Sequence, residues 1–242
     1  MLAVEAHALS FAYPGKCPIL RELSFDVRPG EVFVLAGLSG CGKTTLCRIL
    51  SGIIPHAVDG NLGGALYVLG RHMPESSLAE TATHVGLVFQ DVDTQLVCTT
   101  VEDELAFGLE NLCTEPAEIR RRVQASLEEY HLEALRLCDP AQLSGGEKRR
   151  LAMAAVQILE PDLLILDEPM SNLDEAGQAM VRRTVESLRA AGKTVILSEH
   201  DLTLAAYADR CLVIRDGSAA YLGPMSALLA NRERLCELEL TL

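Results

Sequence analysis

The stretch that decides the fold is Gly37-Leu-Ser-Gly40-Cys-Gly42-Lys43-Thr44-Thr45. It follows an apolar run from Glu31 to Ala36 that is typical of a strand, and it leads into a helical stretch from Lys43 to Ser51. Glycines let the backbone of such a loop curl so that several N–H groups point at one anion. The following helix adds the positive end of its dipole. The stretch therefore predicts a phosphate-binding loop between a strand and a helix.

The residue types in this loop predict how a nucleoside triphosphate is held. We expect Lys43 to reach the β- and γ-phosphates and the Thr44 hydroxyl to coordinate Mg²⁺. The Cys41 thiol is assigned no chemistry, because the backbone binds the phosphates there and a small residue is all that is needed. The candidate ATP-binding residues of the loop are Gly37, Ser39, Gly40, Cys41, Gly42, Lys43, Thr44 and Thr45.

A second apolar run, Leu163 to Leu166, ends in Asp167-Glu168-Pro169. An acid at the end of a buried strand is placed for the Mg²⁺ shell in phosphate-loop enzymes, so Asp167 is a predicted metal ligand. Glu168 points elsewhere and suits a general base for an attacking water. We also expect Pro169 to hold Glu168 in an extended conformation.

A third signal, Leu143-Ser144-Gly145-Gly146-Glu147, opens a helix and predicts a second anion-binding helix start. One nucleotide cannot use both phosphate sites of the same molecule. The simplest hypothesis is a head-to-tail pair of chains, in which Ser144, Gly145 and Gly146 of one chain face the γ-phosphate held by the other.

Strand-like and helical runs alternate along the chain, which predicts an α/β fold with a mostly parallel sheet and helices on both faces. The stretch from about residue 100 to 159 has a helical pattern. We therefore expect one nucleotide-binding domain over residues 1–242, with an N-terminal antiparallel β subdomain and an inserted helical subdomain at about 100–159. A further helix is expected from Leu202 to Asp209.

Composition limits the function. The net charge of −13 argues against a nucleic-acid partner, because binding to phosphates needs a cationic surface. No stretch approaches the roughly 18–20 apolar residues that span a bilayer, and the N-terminus does not have the basic start and apolar run of a signal peptide. The sequence predicts a soluble chain.

Together, these motifs resemble the ABC ATPases over the whole chain, with Leu143-Ser-Gly-Gly146 matching that family's signature. The resemblance implies ATP hydrolysis and roles for three further residues and one loop. Tyr13 would stack on adenine, although a tyrosine beside Pro14-Gly15 could simply pack a turn. Gln90 would contact Mg²⁺ and sense the membrane partner, Ser171-Asn-Leu-Asp174 would cross the dimer interface, and His200 would hold the γ-phosphate.

A finer resemblance is to the ATPases of energy-coupling factor importers, which take up vitamins and transition-metal ions. It is carried by Ile54-Pro-His56, by Val88-Phe-Gln90-Asp-Val-Asp93-Thr-Gln95 and by Thr100 to Asn111. It implies that the Gln90–Gln95 segment contacts transmembrane subunits, and that the chain works peripherally on the cytoplasmic face of the cell membrane. Asp93 and Gln95 could also be ordinary polar loop residues. Val92, Thr94 and Glu147 depart from that family's usual proline, asparagine and glutamine. Since the sequence stops at Leu242, we expect the longer C-terminal extension of many relatives to be missing or shortened.

Other functions stay open at this point: the ATPase of another ABC transporter type, a non-transport ABC ATPase acting on DNA or ribosomes, and a regulatory subunit that binds ATP without cleaving it. The presence of Lys43, Asp167, Glu168 and His200 argues against the last. The substrate, and whether the second ATPase is identical or related, cannot be read from this chain.

Overall fold

The structure, a computed structural model, describes residues 1–171 and 173–240. The chain divides into two compact units. The first unit contains Met1–Leu87 and the described residues from Asp162 onward, and the second contains Val88–Pro161. That the whole chain makes one ATP-binding domain stays a prediction.

The bounds of the strands and helices in the described part of the chain are as follows. The strands are β1 (Val4–Ala12), β2 (Leu20–Val27), β3 (Val32–Ala36), β4 (Asn61–Val68), β5 (Arg71–His72), β6 (Val85–Val88), β7 (Leu163–Asp167), β8 (Thr194–Glu199), β9 (Arg210–Arg215) and β10 (Ser218–Pro224). The α-helices are α1 (Lys43–Leu50), α2 (Ile53–His56), α3 (Leu78–Ala82), α4 (Val101–Asn111), α5 (Pro116–Glu129), α6 (Gly145–Gln157), α7 (Glu175–Ala190), α8 (Met225–Leu229) and α9 (Arg232–Glu237).

A four-stranded antiparallel sheet in the first unit has the order β2-β1-β4-β5. Val4, Ala6, Leu9 and Phe11 of β1 are buried, whereas the residues between them are partly or fully exposed. Such alternation is what a strand with one face on the core produces. This sheet confirms the expected N-terminal antiparallel part of the fold.

A second sheet has the order β10-β9-β3-β8-β7-β6, and β3 runs parallel to both β8 and β9 while β7 runs parallel to β8. Every residue of β3, β7 and β8 is buried, as continuous apolar strands are when helices cover both faces. Helix α1 packs against β7 and β8, and α7 packs against β8. The predicted α/β phosphate-loop fold with a mostly parallel sheet is confirmed.

In the second unit, α4, α5 and α6 lie in the stretch for which a helical pattern was expected. Thr100 caps α4 by accepting a hydrogen bond from the Asp103 N–H. Ser144 and Glu147 form a reciprocal capping box at the start of α6. Local capping chemistry therefore fixes where two of these helices begin.

The prediction of a helix from Leu202 to Asp209 is wrong, because this segment forms successive turns. The Asp201 carboxylate accepts hydrogen bonds from both the N–H and the hydroxyl of Thr203, which favours a turn over a helix. Leu202, Ala205 and Ala208 are buried at a spacing of three, and their i→i+3 bonds produce that spacing without an α-helix.

Strand β10 was not expected. Its signal is the pair Asp216-Gly217 between β9 and β10, in which both residues have positive φ, 50° and 79°. Asp-Gly with two positive φ values is typical of a tight β-hairpin turn. A Cβ on Gly217 would also lie 2.4 Å from the Ile19 carbonyl oxygen, so glycine is required there.

Candidate functional site

The phosphate loop lies between β3 and α1, as predicted. Gly37, Gly40 and Gly42 have φ values of 140°, 79° and 110°, a region that glycine enters without steric cost. A Cβ on Gly37 would lie 2.3 Å from the Ile214 carbonyl oxygen, and one on Gly42 would lie 2.6 Å from a Leu20 methyl carbon. These two glycines therefore allow the backbone to take a path that no other residue could follow.

The Lys43 side chain lies against this loop and is only 4% exposed. Its Nζ donates to the carbonyl oxygens of Gly37 at 2.7 Å and Leu38 at 3.2 Å, and it lies 3.9 Å from Glu168 Oε1. A buried ammonium needs such partners. The arrangement places a positive charge beside the loop and the predicted base.

Two threonines follow Lys43 in the first turn of α1, where Thr44 is half-buried and Thr45 is buried. The Tyr13 hydroxyl lies 3.2 Å from Thr45 Oγ1, and the Tyr13 ring packs edge-to-face on Phe11 at 4.9 Å between centroids. Tyr13 is thus held next to the helix that carries the loop. Its stacking on adenine stays a prediction.

Ser198, near the end of β8, ties the two acids together. Its hydroxyl donates to Asp167 Oδ1 and accepts a 2.9 Å hydrogen bond from the Glu168 N–H. Asp167 is 3% exposed, so this contact satisfies one oxygen of a buried carboxylate. Sequence reasoning gave Ser198 no role, because a serine in a strand carries no signal of its own.

The expected extended conformation of Glu168 is wrong, because its φ is +46°. The Glu168 N–H is held by both the hydroxyl and the carbonyl of Ser198, while the Glu168 carbonyl accepts from the Ser171 hydroxyl and N–H. This tight turn overrides the preference that Pro169 imposes on the residue before it.

The parallel sheet brings these groups together at the carboxyl end of its strands. Ala36, just before the loop, pairs with Glu199, and Asp167 pairs with Ser198. His200 is exposed and directly follows β8, which lies between the other two strands. The phosphate loop, the acid pair and His200 therefore follow the carboxyl ends of three adjacent strands, which is where ligands bind in open α/β sheets.

Asp174 and the Ser171 loop lie just after the acid pair. The Asp174 carboxylate caps α7 by accepting a 2.8 Å hydrogen bond from the Gly177 N–H. Asn172 lies outside the described residues. The predicted contact of this loop with a second chain stays a prediction.

Gln90 and the Ser144 segment belong to the second unit, and their nucleotide contacts stay predictions. The buried Arg149 guanidinium donates to the carbonyl oxygens of Phe89 at 3.1 Å and Gln90 at 3.0 Å. Sequence reasoning missed this contact, because an arginine within a basic run gives no sign of burial. Arg149 therefore joins α6, which begins at the signature motif, to the backbone at Gln90.

Glu147, which departs from the usual signature glutamine, accepts hydrogen bonds from the N–H and hydroxyl of Ser144. These two bonds lower the pKa of Glu147 below its usual value. A Cβ on Gly145 or Gly146 would meet nothing within 4 Å, so the helix start is open for a ligand to approach. The departure at Glu147 therefore preserves a capped helix start.

The Asp93 segment is held within the second unit. Gln95 Oε1 accepts a 2.9 Å hydrogen bond from the Phe89 N–H, and Asp93 forms an ion pair with Lys148 of α6. Both side chains thus have internal contacts as well as their predicted role toward a membrane subunit. In the described part of the chain, no helix is long and apolar enough to cross a membrane.

The chain is similar to known proteins over most of its length. A family model described as ABC transporter matches residues 20–171. A protein of Pyrococcus abyssi, provisionally named an ABC transporter ATP-binding protein, is 41% identical over 97% of this chain and 85% of its own length. The energy-coupling factor transporter ATP-binding protein EcfA1 of Enterococcus faecalis is 36% identical over 99% of this chain and 85% of its own. Some relatives are longer, and the chain spans 40% of one from Methanosarcina mazei.

Solved structures show the same fold. The structure of cbiO1 from Clostridium perfringens, described as part of the ABC transporter complex cbiONQ, has a TM-score of 0.83. It is 28% identical and covers 98% of this chain and 94% of its own. A dimeric ATP-binding cassette, MJ0796, bound to ADP and phosphate, has a TM-score of 0.81 at 22% identity, covering 92% of this chain and 98% of its own.

Proposed function

Since the chain belongs to the ABC transporter family and binds and hydrolyses ATP, we propose that it drives import of a small micronutrient through an energy-coupling factor type transporter. The proposed cargo is a vitamin or a transition-metal ion. The similarity to EcfA1 over 99% of the chain and to cbiO1 of the cbiONQ complex supports this transporter type. The ATPase of another ABC transporter type is the alternative.

The enzymatic part of the proposal rests on one observation. The carboxyl ends of three adjacent strands of one sheet carry the phosphate loop, Asp167, Glu168 and His200. We propose that the loop N–H groups and Lys43 bind the phosphates of ATP. Glu168 then accepts the proton of the attacking water, and His200 contacts the γ-phosphate.

A magnesium ion fits the oxygen donors at this end of the sheet. Asp167 is a buried carboxylate at the end of β7, and Thr44 offers a hydroxyl at the start of α1. Hard oxygen donors of this kind suit Mg²⁺, which is usually held by few protein ligands together with phosphate oxygens. We propose Thr44, Asp167 and Gln90 as its protein ligands; when bound, the ion would neutralise charge on the phosphates.

We propose that two ATPase chains, identical or related, form the working unit, each offering its Ser144, Gly145 and Gly146 to the nucleotide on the other. The open, capped start of α6 supports this arrangement. Transmembrane subunits are proposed to contact the Gln90–Gln95 segment. The assembled machine would place this chain peripherally on the cytoplasmic face of the membrane.

Purification of the tagged chain from its native membranes tests the transporter type. We expect integral membrane subunits to accompany it, and vesicles reconstituted with that complex should take up a vitamin or metal ion only with ATP. A complex carrying the Glu168→Gln variant serves as the control for ATP dependence. ATP-driven export, or copurification with only ribosomes or DNA-bound proteins, would contradict the proposal.

Charge reversal at Asp93 tests the proposed coupling segment. Asp93→Lys replaces an ion pair with a repulsion against Lys148 and changes the surface offered to a membrane subunit. We expect uptake or assembly with membrane subunits to fall by about tenfold, while ATP binding to the chain changes by less than about twofold. The double variant Asp93→Lys, Lys148→Asp restores the ion pair within the chain but keeps the changed charge at position 93. It therefore distinguishes loss of the internal ion pair from loss of the contact with the membrane subunit. Equal loss of ATP binding and transport in Asp93→Lys would count against the segment's coupling role.

A further inference from the structure

Glu199 is a buried acid that the proposed mechanism does not use. It is the last residue of β8 and is 1% exposed. Its Oε1 accepts a 3.3 Å hydrogen bond from the Met170 N–H, in the turn that directly follows Glu168 and Pro169. A buried carboxylate is costly to the fold unless its contacts compensate for it, so its position beside this turn calls for a reason.

The backbone of Glu199 is fixed independently of that side-chain contact. Glu199 pairs with Ala36 in the parallel ladder between β3 and β8, one residue before the phosphate loop begins. Successive side chains of a strand point to opposite faces. Ser198 therefore holds Asp167 and the start of the turn from one side, while Glu199 holds Met170 from the other.

The turn that Glu199 holds is the one that sets the direction of Glu168. It has a left-handed residue, Glu168, at φ +46°, a conformation that persists only where surrounding contacts enforce it. Met170 is itself buried, at 1% exposure. The Glu199–Met170 hydrogen bond is thus a direct link between the strand beside the phosphate loop and the turn that carries the candidate base.

We propose that Glu199 is a positioning residue for ATP hydrolysis: its side-chain oxygen, anchored next to the phosphate loop, fixes the turn at Met170 and thereby the orientation of Glu168. This inference rests on the proposed role of Glu168 as general base. It assigns Glu199 no contact with the nucleotide.

The surroundings of Glu199 supply a further observation and a control. Among the described residues, Glu199 Oε2 has no hydrogen-bond partner, and neither do Tyr207 Oη or Arg182 Nε. Burial raises the pKa of Tyr207, and the nearby Glu199 charge raises it further. Tyr207→Phe therefore changes the polar surroundings of Glu199 without touching its bond to Met170.

The test compares two replacements of similar size. Glu199→Gln keeps an oxygen that can accept from the Met170 N–H, whereas Glu199→Met fills the same space without one, and neither buries a charge. We expect Glu199→Met to lower kcat by about tenfold to a hundredfold, as small misplacements of a reacting group do. Glu199→Gln should stay within about threefold of the parent, and the ATP Kd of both should change by less than about twofold.

Tyr207→Phe is the matched control and should leave kcat unchanged. The same assay includes Glu168→Gln, which separates the two hypotheses. If Glu168→Gln hydrolyses ATP normally, the base assignment fails. If Glu168→Gln is inactive but Glu199→Met matches Tyr207→Phe, only the positioning role is overturned. Equal kcat losses in both Glu199 variants, or an ATP Kd that shifts as much as kcat, would also overturn it.

The pH dependence of stability provides a readout of the buried carboxyl itself. Burial raises the pKa of Glu199 to about 7. The hydrogen bond from the Met170 N–H and the charge of Lys43 oppose this rise, while the charges of Glu168 and Asp201 add to it. The folded state then binds the proton more tightly than the unfolded state, so protonation of Glu199 stabilises the fold. This contribution to the free energy of unfolding is complete below about pH 4.5 and is lost as the pH rises through about 7. Glu199→Gln lacks that loss. The Tm of Glu199→Gln minus the Tm of the parent should therefore be larger at pH 8 than at pH 5.5. The same Tm difference at both pH values would contradict a buried carboxyl at this position.

Discussion

Replacing Glu168 with Gln is expected to lower kcat for ATP hydrolysis by about 10²–10⁴, the usual contribution of a general base. Gln keeps the size of the side chain and the backbone hydrogen bonds to Ser198, but it cannot accept the proton of the attacking water. The Glu168 side chain is 15% exposed, and its Oε1 lies 3.9 Å from Lys43 Nζ. Loss of that negative charge leaves Lys43 with fewer competing anions, so ATP should bind at least as tightly as before.

The measurements are steady-state hydrolysis, ATP affinity and the size of the complex on a calibrated column. With ATP present, we expect Glu168→Gln to accumulate as a nucleotide-bound dimer. Glu186→Gln makes the same chemical change at an exposed position of α7 and should behave like the parent chain. If Glu168→Gln hydrolyses ATP at the parent rate, Glu168 is not the base.

The phosphate loop and the acid pair could be predicted because their chemistry constrains local sequence. Glycines with positive φ, a lysine at the helix start and an acid at a strand end occur at fixed spacing, and the structure places each in the expected element. The strands next to them were equally clear, because buried parallel strands are continuous apolar runs. Local pattern and local structure agree at these positions.

What the sequence did not reveal depends on contacts distant along the chain. The left-handed conformation of Glu168 follows from Ser198, which lies 30 positions away, and this overrode the expectation drawn from Pro169. Glu199 and Arg149 likewise act through backbone groups of other segments, and a backbone carbonyl or N–H has no sequence signature. The false helix from Leu202 to Asp209 arose because apolar residues at a spacing of three also occur in successive turns.

Mixing two inactive variants is expected to restore ATP hydrolysis if each active site is shared between chains. Lys43→Ala removes the buried ammonium of the phosphate loop, and Ser144→Arg places a bulky side chain at the open start of α6. Each variant alone should be nearly inactive, because every site in its dimer contains one damaged half. In the mixed dimer, one site combines both damaged halves and the other combines the intact loop of one chain with the intact Ser144 helix of the other.

Random pairing of equal amounts should therefore recover about a quarter of the parent sites, and the recovered activity should rise with protein concentration as dimers form. Ser144→Arg mixed with Glu168→Gln should also recover activity, since Glu168 belongs to the loop-bearing half, but less than about a quarter, because ATP holds part of the Glu168→Gln chains in their own dimer. Lys43→Ala mixed with Glu168→Gln is the negative control, because both changes damage that half and no intact site can form. If the first two mixtures stay as inactive as this control, the loop and the Ser144 helix do not meet across a pair of chains, and ATP is hydrolysed without the shared site.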